Sequence, residues 1–327
     1  MSADFTALGI VVGHATDDAG ATGCTVVRGT TGPMRCGHAV LGRASGSREL
    51  PVATPQHLVD RIDAVLLTGG SAYGLDAAGG VMRWMEERGR GFRIAGGVVP
   101  LVPAAVIFDL APLGSFAARP NDRMAYAATE SATATPAEGS VGAGTGATVG
   151  KAAGPGRAMK GGVGTAVVQS GDLHVGAVVV VNAYGDVRDT SGRIIAGARA
   201  DDGTFLDATA LLTRGAPRRE SGAREEDAPM ANTTIGIVAT NAALSRVELQ
   251  QLSIATGAAL YRRITPVGTS ADGDTLFSLA PLEGVTATLT TIEVLAVQAM
   301  EAAIERAVRL AKGRDGVPGL ADGGGGG

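Results

Sequence analysis

Aromatic residues make up only 3% of this 327-residue chain: one tryptophan, four tyrosines and six phenylalanines. A core must therefore be assembled from Ala, Val, Leu and Ile. Cysteine is equally scarce. Cys24 and Cys36 alone are present, which rules out a disulfide framework; one bridge remains open, but reduced thiols in a cytoplasmic protein fit better. The four histidines, His14, His38, His57 and His174, show no paired metal spacing and no neighbouring cysteine, so no zinc motif is present. Nor do they supply signals for a Ser-His-Asp triad. Neither charge sign dominates: 28 basic against 32 acidic residues leave a net charge of −4, which argues against nucleic acid as a partner. No apolar run reaches membrane-spanning length, and the N-terminus lacks the basic segment of a signal peptide.

What is abundant is glycine, 50 residues of it, within a chain that is 45% hydrophobic. The length suits one large domain or two ordinary ones, with ample material for a buried core. Apolar runs alternate with glycine-rich turns. DAVLLTGGSAYGLDAAGGVMRWMEERG (63–89) reads as strand, turn and helix, with Tyr73, Leu75, Ala78, Val81, Met82 and Met85 as the helix's buried face. VPAAVIFDL (102–110) reads as a strand and EGSVGAGTGATVGKAAG (138–154) as a glycine-rich loop. Residues 161–187 read as two strands joined at Ser170-Gly171-Asp172. The second, Val175–Val181, is so apolar that it should be covered on both faces. Ser245-x-x-Glu248 is a capping box starting a helix to about Arg263, and a last helix is expected over Thr291–Lys312, with Ile292, Leu295, Ala299, Ala303, Ala307 and Leu310 facing the core. Residues 213–232 read as an exposed loop and 321–327 as a flexible tail.

Two motifs fail on inspection. A phosphate-binding loop would need glycine where Thr145 stands and Ser or Thr where Ala152 stands. A nucleophile elbow at GGSAYG would need glycine at Tyr73.

The charged segment ends abruptly at MANTTIGIVATN, where a β-branched strand opens on Asn232, Thr233 and Thr234. One chemistry needs a small hydroxyl nucleophile there. The hydroxyl of Thr233 attacks the carbonyl before it, an ester forms, and hydrolysis frees Thr233 as a new N-terminus. Its α-amine, with an ordinary pKa of about 7.7–8.0, then serves as base without any histidine. The bland alternative is a strand that happens to begin with threonine. Downstream, TSADGDTLF carries Asp272 and Asp274, which share one side if extended. Otherwise they form an exposed acidic turn.

Taken together, NTTIGIVATNAALSRVELQQLS followed by DGDTLF resembles the P1 peptidases among N-terminal nucleophile hydrolases, which include DmpA-type aminopeptidases, β-aminopeptidases and NylC-type nylon-oligomer endohydrolases. LLTGGSAYGLDAAGGV, PAAVIFDL, GAGTGATVGK and VVVVNAYGDV resemble family segments in the same order. The threonine and the acidic pair look more like the nylon-oligomer branch than the serine-using one. The resemblance implies Thr233 as nucleophile and Asn232 as the residue left at the cut. It implies Lys151, Asn182, Asp272 and Asp274 as catalytic-site partners, Asn182 helping to hold an oxyanion. Phe108 and Tyr73 would line the substrate pocket, with Phe108 standing where the family is expected to have tyrosine.

The same resemblance implies an α/β fold of the four-layer αββα sandwich type. It would be self-cleaved into interdigitated fragments 1–232 and 233–327 and assembled into homo-oligomers, with a tetramer expected. The expected activity is hydrolysis of small peptides, β- or D-amino-acid amides or 6-aminohexanoate oligomers through an acyl-enzyme, with no metal or organic cofactor. Two rivals remain: an acyl transferase like ornithine acetyltransferase, and an uncleaved binding homologue without activity.

Overall fold

The computed structural model describes residues 3–214 and 232–323. Ten strands build its two main sheets. In chain order they are β1 (Ile10–Asp17), β2 (Thr22–Gly29), β3 (Arg35–Val40), β4 (Ser47–Arg48), β5 (Ala64–Thr68), β6 (Ala104–Val106), β7 (Gly162–Ser170), β8 (Leu173–Asn182), β9 (Thr233–Thr240) and β10 (Thr275–Ala280). The first sheet runs β1-β2-β5-β6-β4 and the second β7-β8-β9-β10-β3. In the second, β9 is antiparallel to β8 and parallel to β10, while β3 returns antiparallel to β10 at the edge.

The period-2 pattern of strands explains the burial. Val178, Val180, Ile235 and Ile237 join Val27, Leu67 and Ile107 of the first sheet in one apolar cluster. The alternate residues Val179 and Val181 join Ala299, Met300 and Ala303 in another. Every residue of β9 is buried, as expected for a strand with both faces covered. Each fully buried Val or Ile side chain contributes about 1.5–3 kcal/mol.

Four helices flank the sheets. α1 (Ala78–Glu86) and α2 (Asp122–Glu130) bury Ala78, Val81, Met85, Ala125 and Ala128 against Cys24, Val26 and Leu66 of the first sheet. α3 (Arg246–Arg263) and α4 (Leu289–Arg309) pack on the second. The Ser245–Glu248 capping box is formed in full, satisfying two of the backbone donors that open α3. Alanine on α4 meets glycine on β7: a Cβ on Gly164 would lie 1.9 Å from the Ala303 carbonyl oxygen. Small residues on both elements let the backbones touch, which is how a core with few aromatics still packs densely.

Several expectations are corrected. Tyr73 is 53% exposed, because residues Ser71–Ala77 form a 3-10 turn before α1 begins. The strand in VPAAVIFDL is three residues long. The last helix ends at Arg309, leaving Leu310 39% exposed. Within the glycine-rich loop, residues 142–149 are buried throughout. Thr213 closes a short helix, Ala208–Thr213, and Asn232 is buried, so neither end of the expected 213–232 loop is free; residues 215–231 lie outside the described residues. Of the expected tail, residues up to Gly323 form a turn in which the Asp322 carboxylate accepts from the backbone of Gly313 and Gly319; residues 324–327 lie outside the described residues. Cys24 and Cys36 are free thiols in different sheets. No described helix is long and apolar enough to cross a membrane.

Candidate active site

Parallel pairing of β9 with β10 sets the site. Ile235 faces Thr275, and the same offset carries back to a bridge between Asn232 and Asp272. Asp272 and Asp274 therefore bracket Thr233, with Gly273 beside it. A Cβ on Gly273 would lie 2.9 Å from the Thr233 hydroxyl oxygen and 2.6 Å from the Ala44 carbonyl. Only glycine fits that gap without displacing backbone.

The Thr233 hydroxyl donates to the Asn232 carbonyl oxygen at 2.5 Å. The same oxygen accepts the Gly273 N–H at 2.9 Å. The carbonyl oxygen of the Asn232–Thr233 bond thus accepts both the Thr233 hydroxyl and a backbone donor, which polarise it. Thr233 is 5% exposed.

Both carboxylates turn toward the segment before them. Asp272 accepts the Thr269 N–H at 2.9 Å and its hydroxyl at 2.7 Å. Asp274 accepts the Thr234 N–H at 2.6 Å and the Gly268 N–H at 3.2 Å. Each is 1% exposed, so the exposed-turn alternative is overturned. Burial, reinforced by the charge of Asp272, pushes the Asp274 carboxyl up to about 7. Burial raises Asp272 as well.

Antiparallel pairing of β8 with β9 delivers the remaining groups. Asn182, last in β8, stands opposite Thr233. Its side-chain oxygen accepts the Thr148 N–H at 3.0 Å and the Lys151 ammonium at 2.9 Å, while its Nδ2 donates to the Phe108 carbonyl at 3.1 Å. Lys151 is pulled down to about 7 by burial, against the opposing pull of Asp272, Asp109 and Asp274. A base or acid with that value is poised for proton transfer near neutrality.

The fold therefore brings Asn232, Thr233, Lys151, Asn182, Asp272 and Asp274 into one connected arrangement. Phe108 joins it through its main-chain carbonyl. Tyr73 is 53% exposed, with the Arg119 guanidinium 3.5 Å from its ring centre. Sequence reasoning missed Gly273 and the chain at Gly42–Ala44, whose N–H groups bind the Asp274 and Asp272 carbonyls. The glycine between the two aspartates was the available signal. Among the described residues no group of three or more His, Cys, Asp or Glu is placed to hold a metal ion.

Comparison with known proteins bears on the fold and the family. The fold is similar to the L-aminopeptidase D-Ala-esterase/amidase of Ochrobactrum anthropi, described as a variant of the Ntn hydrolase fold, with a TM-score of 0.69 over 95% of this chain and 88% of that one at 19% identity. It is also similar to a Burkholderia sp. beta-aminopeptidase, with a TM-score of 0.65 over 95% and 88% at 20% identity. These likenesses show that the chain shares the mixed α/β fold of those two proteins.

Residues 7–319 match the model of peptidase family S58, and the chain belongs to that family. An uncharacterized aminopeptidase of Mycobacterium leprae (strain TN) is 44% identical, over 83% of this chain and 76% of that protein. A 6-aminohexanoate-oligomer endohydrolase of Kocuria sp. (strain KY2) is 33% identical over 83% and 72%. The chain is a DmpA/NylC-like hydrolase of amide or peptide bonds.

Proposed function

We propose that the protein activates itself by cutting the Asn232–Thr233 bond and then hydrolyses small peptides or linear amide oligomers with Thr233 as nucleophile. The observation that carries this reading is the Thr233 hydroxyl lying 2.5 Å from the carbonyl oxygen of its own upstream bond, with the Gly273 N–H on the same oxygen. In the cut, Oγ1 bonds to the Asn232 carbonyl carbon and the C–N bond breaks. The departing nitrogen takes the hydroxyl proton, and water hydrolyses the ester, leaving an Asn232 carboxylate and a Thr233 α-amine. That amine next accepts the hydroxyl proton as Oγ1 attacks a substrate amide, and passes it to the leaving amine. Water then releases the acid. Asn182 and Lys151 supply donor and positive charge for the developing oxyanion.

Two five-stranded sheets sharing one apolar cluster, each packed on its other face against two helices, support a four-layer αββα arrangement. The kinship with nylon-oligomer endohydrolases and aminopeptidases supports both linear polyamides and peptides as substrate classes. Assembly of processed units into homo-oligomers completes the proposal and is checked by light scattering.

The deciding experiment is the intact mass under denaturing conditions. Two fragments meeting between Asn232 and Thr233, and one uncut chain for Thr233→Ala, support the nucleophile. A single full-length mass for folded, aged wild type overturns self-cleavage and, with it, Thr233 as an N-terminal nucleophile.

A further inference from the structure

A second pair of ionisable side chains lies beneath the site and takes no part in the chemistry above. Asp109 is 2% exposed and Lys160 1%. Each carries its charge into the interior within electrostatic reach of the other, and burying charge is costly unless it is well partnered. The partners of each are informative.

Asp109 accepts the Thr22 hydroxyl at 2.7 Å and the Gly70 N–H at 2.6 Å. It is wedged between two glycines. A Cβ on Gly69 would meet its carboxylate oxygen at 2.1 Å, and one on Gly146 would meet its Cβ at 2.7 Å. From its own strand segment, Lys160 donates to the carbonyls of Thr145 and Ala147 at 2.8 and 2.7 Å, the residues on either side of Gly146. The Gly146 turn packs against the Asp109 side chain on one side, and its flanking carbonyls accept the Lys160 ammonium on the other.

Both holds lead to Asn182. Lys160 pairs in a short ladder with Thr148, and the Thr148 N–H is the donor to the Asn182 side-chain oxygen. Asp109 directly follows Phe108, whose carbonyl accepts the Asn182 Nδ2. We propose that Asp109 and Lys160 are positioning residues for Asn182, fixing the Thr148 N–H and the Phe108 carbonyl so that both ends of its amide are oriented opposite Thr233. A side-chain amide gripped only at one end can rotate or flip, exchanging donor for acceptor at the oxyanion. Gripped at both, it cannot.

The inference rests on the proposed reaction, and the test separates the two. Steady-state kcat and KM on an aminoacyl anilide are measured per folded, processed chain for wild type, Asp109→Asn, Lys160→Gln and the gentler Thr22→Val. Ser245→Ala serves as a stability-lowering control remote from the site. We expect kcat to fall about 10-fold or more in the first two variants and several-fold in Thr22→Val, with KM within about 3-fold, because misorientation of a transition-state donor spares substrate binding. Ser245→Ala should keep the wild-type kcat. If Asp109→Asn and Lys160→Gln fail to fold, Thr22→Val decides. Wild-type turnover with unchanged kcat in the folded variants overturns the positioning role alone. A wild type that neither cleaves itself nor turns over the anilide removes the nucleophile reading, and this inference with it.

Discussion

Asn182 and Thr233 are register partners on neighbouring antiparallel strands, the last residue of β8 facing the first of β9. The spacing between candidate nucleophile and amide is therefore a property of a sheet buried on both faces, not of a surface loop. Because side chains alternate along a strand, a slip of one residue would send Thr233 to the opposite face.

That alternation makes the two neighbouring threonines unequal. Among the described residues the buried Thr234 hydroxyl has no hydrogen-bond partner. It should not replace Thr233, so Thr233→Ala stays uncut although a hydroxyl remains one residue away. Thr234→Val, nearly the same shape, removes an unsatisfied polar group and should stabilise the chain by about 1 kcal/mol. Thermal unfolding and intact mass read both effects. A destabilised Thr234→Val, or one that no longer cuts, would contradict this assignment.

Gly273 is a tight point beside the Thr233 hydroxyl. Its absent side chain leaves room for the Thr233 hydroxyl and the Ala44 carbonyl. Gly273→Ala must push one of them aside, and the backbone carbonyl is the less able to yield. Self-cleavage should slow by about 10-fold or more, since small displacements of reacting atoms are costly. The fraction cut, followed by mass after synthesis, measures it; wild-type kinetics would show that the gap is not needed.

The chain's large elements were legible because their periodicities are strong. Half of β8 is valine, α3 announces itself with Ser245 and Glu248, and the buried face of α4 recurs at helical spacing. The acidic pair was legible as chemistry but not as placement. Its burial depends on β9 and β10 being parallel neighbours, a long-range pairing that local spacing does not encode. Tyr73 was misplaced for a related reason: its spacing suits a helix face, but Gly69 and Gly70 are needed for the turn held by Asp109, and that delays α1. The glycine-rich loop was legible, but not its burial, because glycine signals turns and close packing alike.

Asp274 and Lys151 impose opposite pH dependences on stability. Asp274 has a folded-state value of about 7 against an ordinary 3.8. The folded chain holds this proton more tightly than the unfolded one. The resulting stabilisation is complete below 3.8 and is lost as pH rises toward 7. Asn at this position has no proton to lose. On a Thr233→Ala background, where every chain is uncut, Asp274→Asn should gain stability relative to its parent between those values, by a few kcal/mol at most, on the order of the shift itself. Lys151, lowered from 10.5 to about 7, behaves in the reverse sense: its contribution is present above 10.5 and is lost as pH falls toward 7. Urea unfolding across pH 4 to 7 tests the first claim, and a stability difference that stays flat would refute it.

Cleavage at Asn232–Thr233 should leave the two fragments inseparable under native conditions. After the cut, β9 and β10 belong to the second fragment, yet β8 on one side and β3 on the other belong to the first. The second fragment's strands are hydrogen-bonded to the first along both outer edges, and α3 and α4 cover the same sheet. Ile235, Ile237 and Phe277 of the second fragment share a cluster with Val27, Leu67 and Val178 of the first. Separation would expose that core and two unpaired strand edges at once. Native mass spectrometry should therefore find both fragments in one particle, and denaturing conditions should release them. Dissociation of the processed protein in dilute native buffer would mean that the central pairing of β8 with β9 does not survive the cut.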